Sequence, residues 1–184
     1  MTRALIPSLA ALLVAAATAP AEEVESPIYR SWAKHEVGTV VKYRSVTSSK
    51  GRDVESIIAY RLTERDDKKV VVEMVVTSDA TGKKVEGAPQ SFATRRMFPL
   101  LPGVKKEDIG KPRGATESGE ETVELAGKAY KAQWYGSKGR TEAGESLTRT
   151  WMSDEVPGKL LKSVTDVPAA NKKTTVELIE IQTP

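Results

Sequence analysis

Thr39-Val40-Val41-Lys42-Tyr43-Arg44-Ser45-Val46-Thr47 sets Val41 and Tyr43 on one side of an extended chain and Lys42 and Arg44 on the other. A period of two is the mark of a half-buried β-strand, and it persists downstream. Residues 53–64 place Val54, Ile58, Tyr60 and Leu62 opposite Asp53, Glu55 and Arg61. Residues 69–78 place Val70, Val72, Met74 and Val76 on one face and Val71, Glu73, Val75 and Thr77 on the other. This third strand is apolar on both sides apart from Glu73, which predicts a central position covered from both faces. The connections Ser48–Arg52 and Glu64–Lys68 are short and polar, so they suit hairpins and exclude helical crossovers.

Upstream of this meander the period is helical. Ser26-Pro27 supplies a cap and a first-turn proline, and Tyr29, Trp32 and Ala33 share a face before Val37-Gly38 stops the run. The pattern predicts a helix of about two turns whose aromatic face caps the sheet. A helix that short needs tertiary partners, which Trp32 must supply.

Downstream, residues 79–115 are punctuated by Gly82, Gly87, Pro89, Pro99, Pro102, Gly103, Gly110, Pro112 and Gly114. They read as an irregular flap with room for one short strand at Ser91–Phe98. Strands then follow at 119–125 and 129–136 around an Ala126-Gly127-Lys128 turn, with Tyr130, Ala132 and Trp134 on one face. A polar loop is expected at 136–144. Further strands are expected at 145–153, 159–167 and 173–182. The fold class is therefore mainly β: a curled antiparallel sheet or half-barrel of about nine strands with one short N-terminal helix.

The first 21 residues have a different character. Arg3, the apolar run Ala4–Ala17 and the small residues Ala19-Pro20-Ala21 read as a removable export signal, with Glu22, Glu23 and Glu25 beyond it. The run is too short for a membrane span. Residues 22–184 are then one domain, periplasmic or extracellular after export by the general secretory route, and expected to be a monomer for which peripheral membrane contact is open. Absence of cysteine excludes both disulfides and a cysteine-linked lipid anchor. The 28 basic and 25 acidic residues are nearly balanced, and the basic clusters Arg95-Arg96, Lys105-Lys106 and Lys111-Pro112-Arg113 carry interspersed acids, so no nucleic-acid face is read.

Catalytic chemistry has little to work with. His35 is the sole imidazole and reads as a solvent-facing helix-end residue favourable to the helix dipole. Asp66-Asp67, Glu120-Glu121 and Asp154-Glu155 are adjacent pairs, and neighbours on a strand point to opposite faces. The serines lie in no nucleophile-elbow context. The expectation is a non-enzyme without cofactor or metal. The tryptophans say more: Trp32, Trp134 and Trp151 sit among inward-patterned neighbours, either as core fillers or as the lining of an apolar cavity. Trp134, Trp151, Tyr130 and Met74 are the candidate ligand-binding residues.

Arg149-Thr150-Trp151-Met152-Ser153-Asp154-Glu155-Val156-Pro157-Gly158-Lys159-Leu160-Leu161-Lys162 resembles a strand–turn–strand segment of exported bacterial β-rich proteins of unassigned function, notably from planctomycetes. The segment Trp32 to Tyr43 and the hairpin Gly127 to Trp134 are similar to two further parts of that group. More distantly, the pattern resembles LolA-like lipoprotein carriers, where a Trp-containing strand enters a Pro turn and then a basic strand. That resemblance implies a half-barrel closed by helices around a hydrophobic ligand cavity, although this chain has one short helix where the carriers have several. Two functional readings follow: an envelope binding or carrier module for a lipid or other apolar or amphipathic ligand, or a structural or protein-interaction domain whose concave face is filled by its own side chains.

Overall fold

In a computed structural model the chain is described over residues 22–78 and 85–184; the expected export signal lies outside the described residues. Strands β1 (Glu23–Glu25), β2 (Val40–Ser49), β3 (Arg52–Arg65), β4 (Lys69–Ser78), β5 (Val85–Glu86), β6 (Gln90–Arg95), β7 (Met97–Pro99), β8 (Ala115–Leu125), β9 (Lys128–Thr141), β10 (Gly144–Met152), β11 (Leu160–Val167) and β12 (Lys172–Gln182) surround one α-helix, α1 (Pro27–Trp32). The main sheet has ten strands in the order β5-β4-β3-β2-β12-β11-β10-β9-β8, with β6 pairing β4 beside β5. Every pairing is antiparallel, and the sheet is not closed.

Two segments differ from the expected strands. The strand read at Ser91–Phe98 is broken at Arg96, whose N–H donates to the Lys68 carbonyl and whose carbonyl accepts from Ser26. Its first part, β6, joins the main sheet, while β7 pairs β1 in a separate ribbon. The loop expected at 136–144 is mostly strand: β9 runs on to Thr141 and turns in two residues onto Gly144, which takes φ 126°. The Ala126-Gly127 turn has φ 51° and 72°, the paired positive values of a twist-matched two-residue hairpin.

The register sorts the side chains into two faces. Tyr43 lies opposite Leu178 and Ile58, and Leu62 opposite Val72, so these share one face, together with Met74 opposite Tyr60. Helix α1 covers the apolar end of this face. Ser26 accepts from the Tyr29 N–H at 3.2 Å, and Tyr29 and Trp32 join Val41, Tyr43, Leu62, Leu161 and Leu178 in one buried cluster. Polar anchors fix the helix: the Tyr29 hydroxyl donates to the Asp66 carbonyl at 2.8 Å, and the Gly158 N–H donates to the Ser31 hydroxyl at 3.1 Å. Tyr43 donates to the Leu160 carbonyl at 2.9 Å, and burial pushes its hydroxyl pKa well above the ordinary tyrosine value.

Candidate functional site

On the opposite face one row of directly opposed residues crosses the sheet: Gly119 of β8, Trp134 of β9, Trp151 of β10, Lys162 of β11, Glu177 of β12 and Arg44 of β2. Trp134 lies against the backbone of Gly119, where a Cβ would fall 2.7 Å from the indole nitrogen. Small residues here are what let a large ring lie flat on a strand. The Arg149 guanidinium is 3.8 Å from the Trp134 ring centroid and 5.5 Å from that of Trp151, a doubly aromatic cation–π contact. The Trp151 indole N–H donates to the Glu121 carboxylate. Lys162 sits 5.9 Å from the Trp151 ring and 2.6 Å from Glu177, which also meets Arg44 at 3.5 Å. The ammonium of Lys162, with Arg44 behind it, holds the Glu177 pKa below the ordinary carboxylate range.

Along the same face a groove of about 530 Å³ runs past Glu117, Lys138, Glu145, Leu147, Arg149 and Val164. Leu147 is exposed there. The surface therefore combines aromatic rings, a short apolar strip and a cation in a shallow open setting. It can hold a molecule that is apolar at one end and anionic at the other.

The structure brings three of the four candidate residues onto this face and separates the fourth. Trp134 and Trp151 are half-buried, and Trp151 packs against the core cluster. Tyr130 is only 4% exposed, with the Lys128 ammonium 4.8 Å from its ring centroid, so it supports the surface from within. Met74 faces the other way, beside Tyr60. Sequence reasoning missed Gly119, Arg149, Glu121 and Lys162. The alternation Leu147, Arg149, Trp151 could have placed Arg149 beside the ring, but the meeting with β8 is a matter of register across a turn. His35 differs from expectation: it is half-buried, and burial, with Lys34 nearby, lowers its pKa and disfavours the protonated form that the helix dipole would favour. Among the described residues no group of three or more His, Asp or Glu could hold a metal ion.

No protein-family model matches this chain, and no curated protein matches it in sequence. Among solved structures, a Bacteroides fragilis protein described as exported with a YmcC-like fold superposes with a TM-score of 0.51 at 12% identity, over 81% of this chain and 97% of that one. A Parabacteroides distasonis protein described as a lipoprotein gives a TM-score of 0.48 at 11% identity over 80% and 96%. The Mycobacterium tuberculosis lipoprotein LppX gives 0.44 at 11% identity over 86% and 94%. The first shows a shared fold; the other two are too distant in shape to carry an argument.

Proposed function

We propose that the protein is an exported, non-catalytic module of the bacterial envelope that binds an amphipathic molecule on the face carrying Trp134 and Trp151. The observation that supports this reading is the stack of Arg149 on Trp134 at 3.8 Å beside the groove containing Leu147 and Val164. An acyl chain laid over the rings and the apolar strip would leave its anionic head beside Arg149 and Lys162. Burying each methylene contributes about 0.8 kcal/mol, so ten carbons give a gross ~8 kcal/mol, which after association costs corresponds to micromolar to millimolar affinity. The export signal at residues 1–21, the exported protein of shared fold and the distant resemblance to LolA-like carriers agree with an envelope role, periplasmic or extracellular.

A second reading has its own observation. Tyr130 and Ala132, on the same face as Trp134, are each 4% exposed, so that end of the face is filled by the protein's own side chains, as in a structural or protein-interaction domain. Titration with dodecanoate, read by tryptophan emission, separates the two. The binding reading expects a saturable shift that Arg149→Gln weakens and that Trp151→Glu abolishes with circular dichroism unchanged. No shift at saturation, together with no co-purified ligand in native mass spectrometry, leaves the filled domain.

A further inference from the structure

The sheet ends on β8, and among the described residues no strand pairs with its outer edge. The two-residue turn at Ala126-Gly127 sets which backbone groups face outward. In such a hairpin the flanking pair, Leu125 and Lys128, exchanges both hydrogen bonds, and the pattern alternates from there. Leu125, Val123, Glu121 and Gly119 are thus bonded inward to β9, while Glu124, Thr122, Glu120 and Ser118 direct N–H and C=O groups away from the sheet. Four alternate residues with open backbone groups are a template for another strand.

The side chains state which strand. Between Ala115 and Leu125 lie Glu117, Glu120, Glu121 and Glu124 and no basic residue, in a chain whose 28 basic and 25 acidic residues nearly balance overall. All four glutamates are exposed. Glu120 and Glu124 share one side of β8, roughly 13 Å apart along it. Lys131 of β9, directly opposite Thr122, is the one cation among the described residues lining a groove of about 510 Å³ that opens along this part of the strand, with Glu120, Glu121, Thr122, Gln133 and Asp154. A second copy of this chain is a poor occupant: antiparallel pairing of β8 with itself about Thr122 sets Glu120 against the second copy's glutamate, and like charges directly opposed are destabilising.

We infer that β8 is a docking edge for an extended basic segment of a partner protein, which adds as a further antiparallel or parallel strand and sets Lys or Arg against Glu120 and Glu124. Main-chain hydrogen bonds supply the attachment and the glutamates choose the sequence. Glu120 and Glu124 lie on the side of β8 opposite to Gly119 and Glu121, which belong to the aromatic row, so a docked strand and an amphiphile would meet different side chains of the same strand.

The test uses a fluorescein-labelled peptide of alternating lysine and valine, about ten residues long, against one of alternating glutamate and valine. Anisotropy should show saturable binding of the basic peptide only, weakening as salt is raised. Thr122→Pro removes an outward N–H and leaves the β9 ladder intact, so it should lower affinity ~tenfold or more with an unchanged urea midpoint. Glu120→Lys with Glu124→Lys should reverse the preference to the acidic peptide, which keeps the test decisive if the proline variant unfolds. Absence of basic-peptide binding, or equal binding by the proline variant, overturns the inference and leaves the glutamates as guards against aggregation. A dimer in sedimentation that Thr122→Pro dissolves overturns it in favour of self-pairing.

Discussion

Gly119 lies directly opposite Trp134 in the β8–β9 ladder, and the indole occupies the space a side chain on Gly119 would need: 2.7 Å to the ring nitrogen and 2.8 and 2.9 Å to two ring carbons. The glycine therefore decides the pose of the tryptophan, and the tryptophan carries Arg149, whose guanidinium is 3.8 Å from the ring centroid. Gly119 has no positive φ, so the requirement is steric rather than conformational. Gly119→Val should lift Trp134 off the strand, red-shift its emission, and cost about 1–3 kcal/mol of stability in urea. Unchanged emission would mean that the ring has another place to lie.

Trp32 is 4% exposed and stands against Gly158, whose Cβ position is 3.3 Å from the indole nitrogen. It joins α1 to the turn between β10 and β11 as well as to the sheet. Trp32→Ala should cost about 3–5 kcal/mol, read as a fall in the urea midpoint with little change in slope. A fall below ~0.5 kcal/mol would place the ring outside the core.

The strands of this fold were legible because their faces differ: Val41, Tyr43, Ile58, Tyr60 and Leu62 alternate with charges, and on β2 and β3 the buried cluster takes one side. The break at Arg96 was not legible, since nothing local distinguishes Arg95 from Arg96; the separation comes from Lys68 and Ser26, distant in sequence. The β9 extension was hidden by Gly136, Gly139 and Lys138, which read as loop residues. Gly136 lies against Glu117 and Gly139 against Ser146, so these glycines mark close packing within a strand. At the candidate site the aromatic residues announced themselves, but cross-strand partnership is set by register. A hydroxyl row shows the same thing: Thr148 meets Thr165 at 3.0 Å and Thr47 meets Thr174 at 3.0 Å, pairings that no local pattern reveals.

Glu177 gives the fold a predictable acid response. Lys162 at 2.6 Å and Arg44 at 3.5 Å favour its ionised form and hold its folded pKa below the ordinary 4.5. Well above pH 4.5 the carboxylate is ionised in both states and its stabilisation is complete. As pH falls below that value the unfolded chain takes up the proton first, and the contribution is lost progressively until the folded pKa is passed. Glu177→Gln should therefore be less stable than the parent near pH 7 and should lose less stability between pH 5 and pH 3. Parallel pH profiles in urea titrations would show that the three charges do not act together.

The stretch between β7 and β8 should be the first to yield to protease. From Leu100 to Gly114 it forms only a single helical turn, Lys106–Asp108, with three residues, no side-chain cap and no buried residue. Leu101 and Val104 are exposed, and Gly103, Gly110 and Gly114 take positive φ. Its ion pairs, Lys111 with Asp108 at 2.8 Å, Lys105 with Glu107 at 3.9 Å and Lys106 with Glu22 at 2.5 Å, are exposed and so contribute little. The neighbouring β8 has a continuous ladder with β9, and β6 a continuous ladder with β4. Local opening here costs few tertiary contacts, so limited trypsin should cut at Lys105, Lys106 or Arg113 before any site within β2, β3 or β4, and amides of residues 101–114 should exchange before those of the flanking strands. Cleavage appearing first at Lys42, Arg61 or Lys69 would show that the β2–β4 meander opens more readily than the connection, and that the framework of the sheet lies on the β8–β12 side.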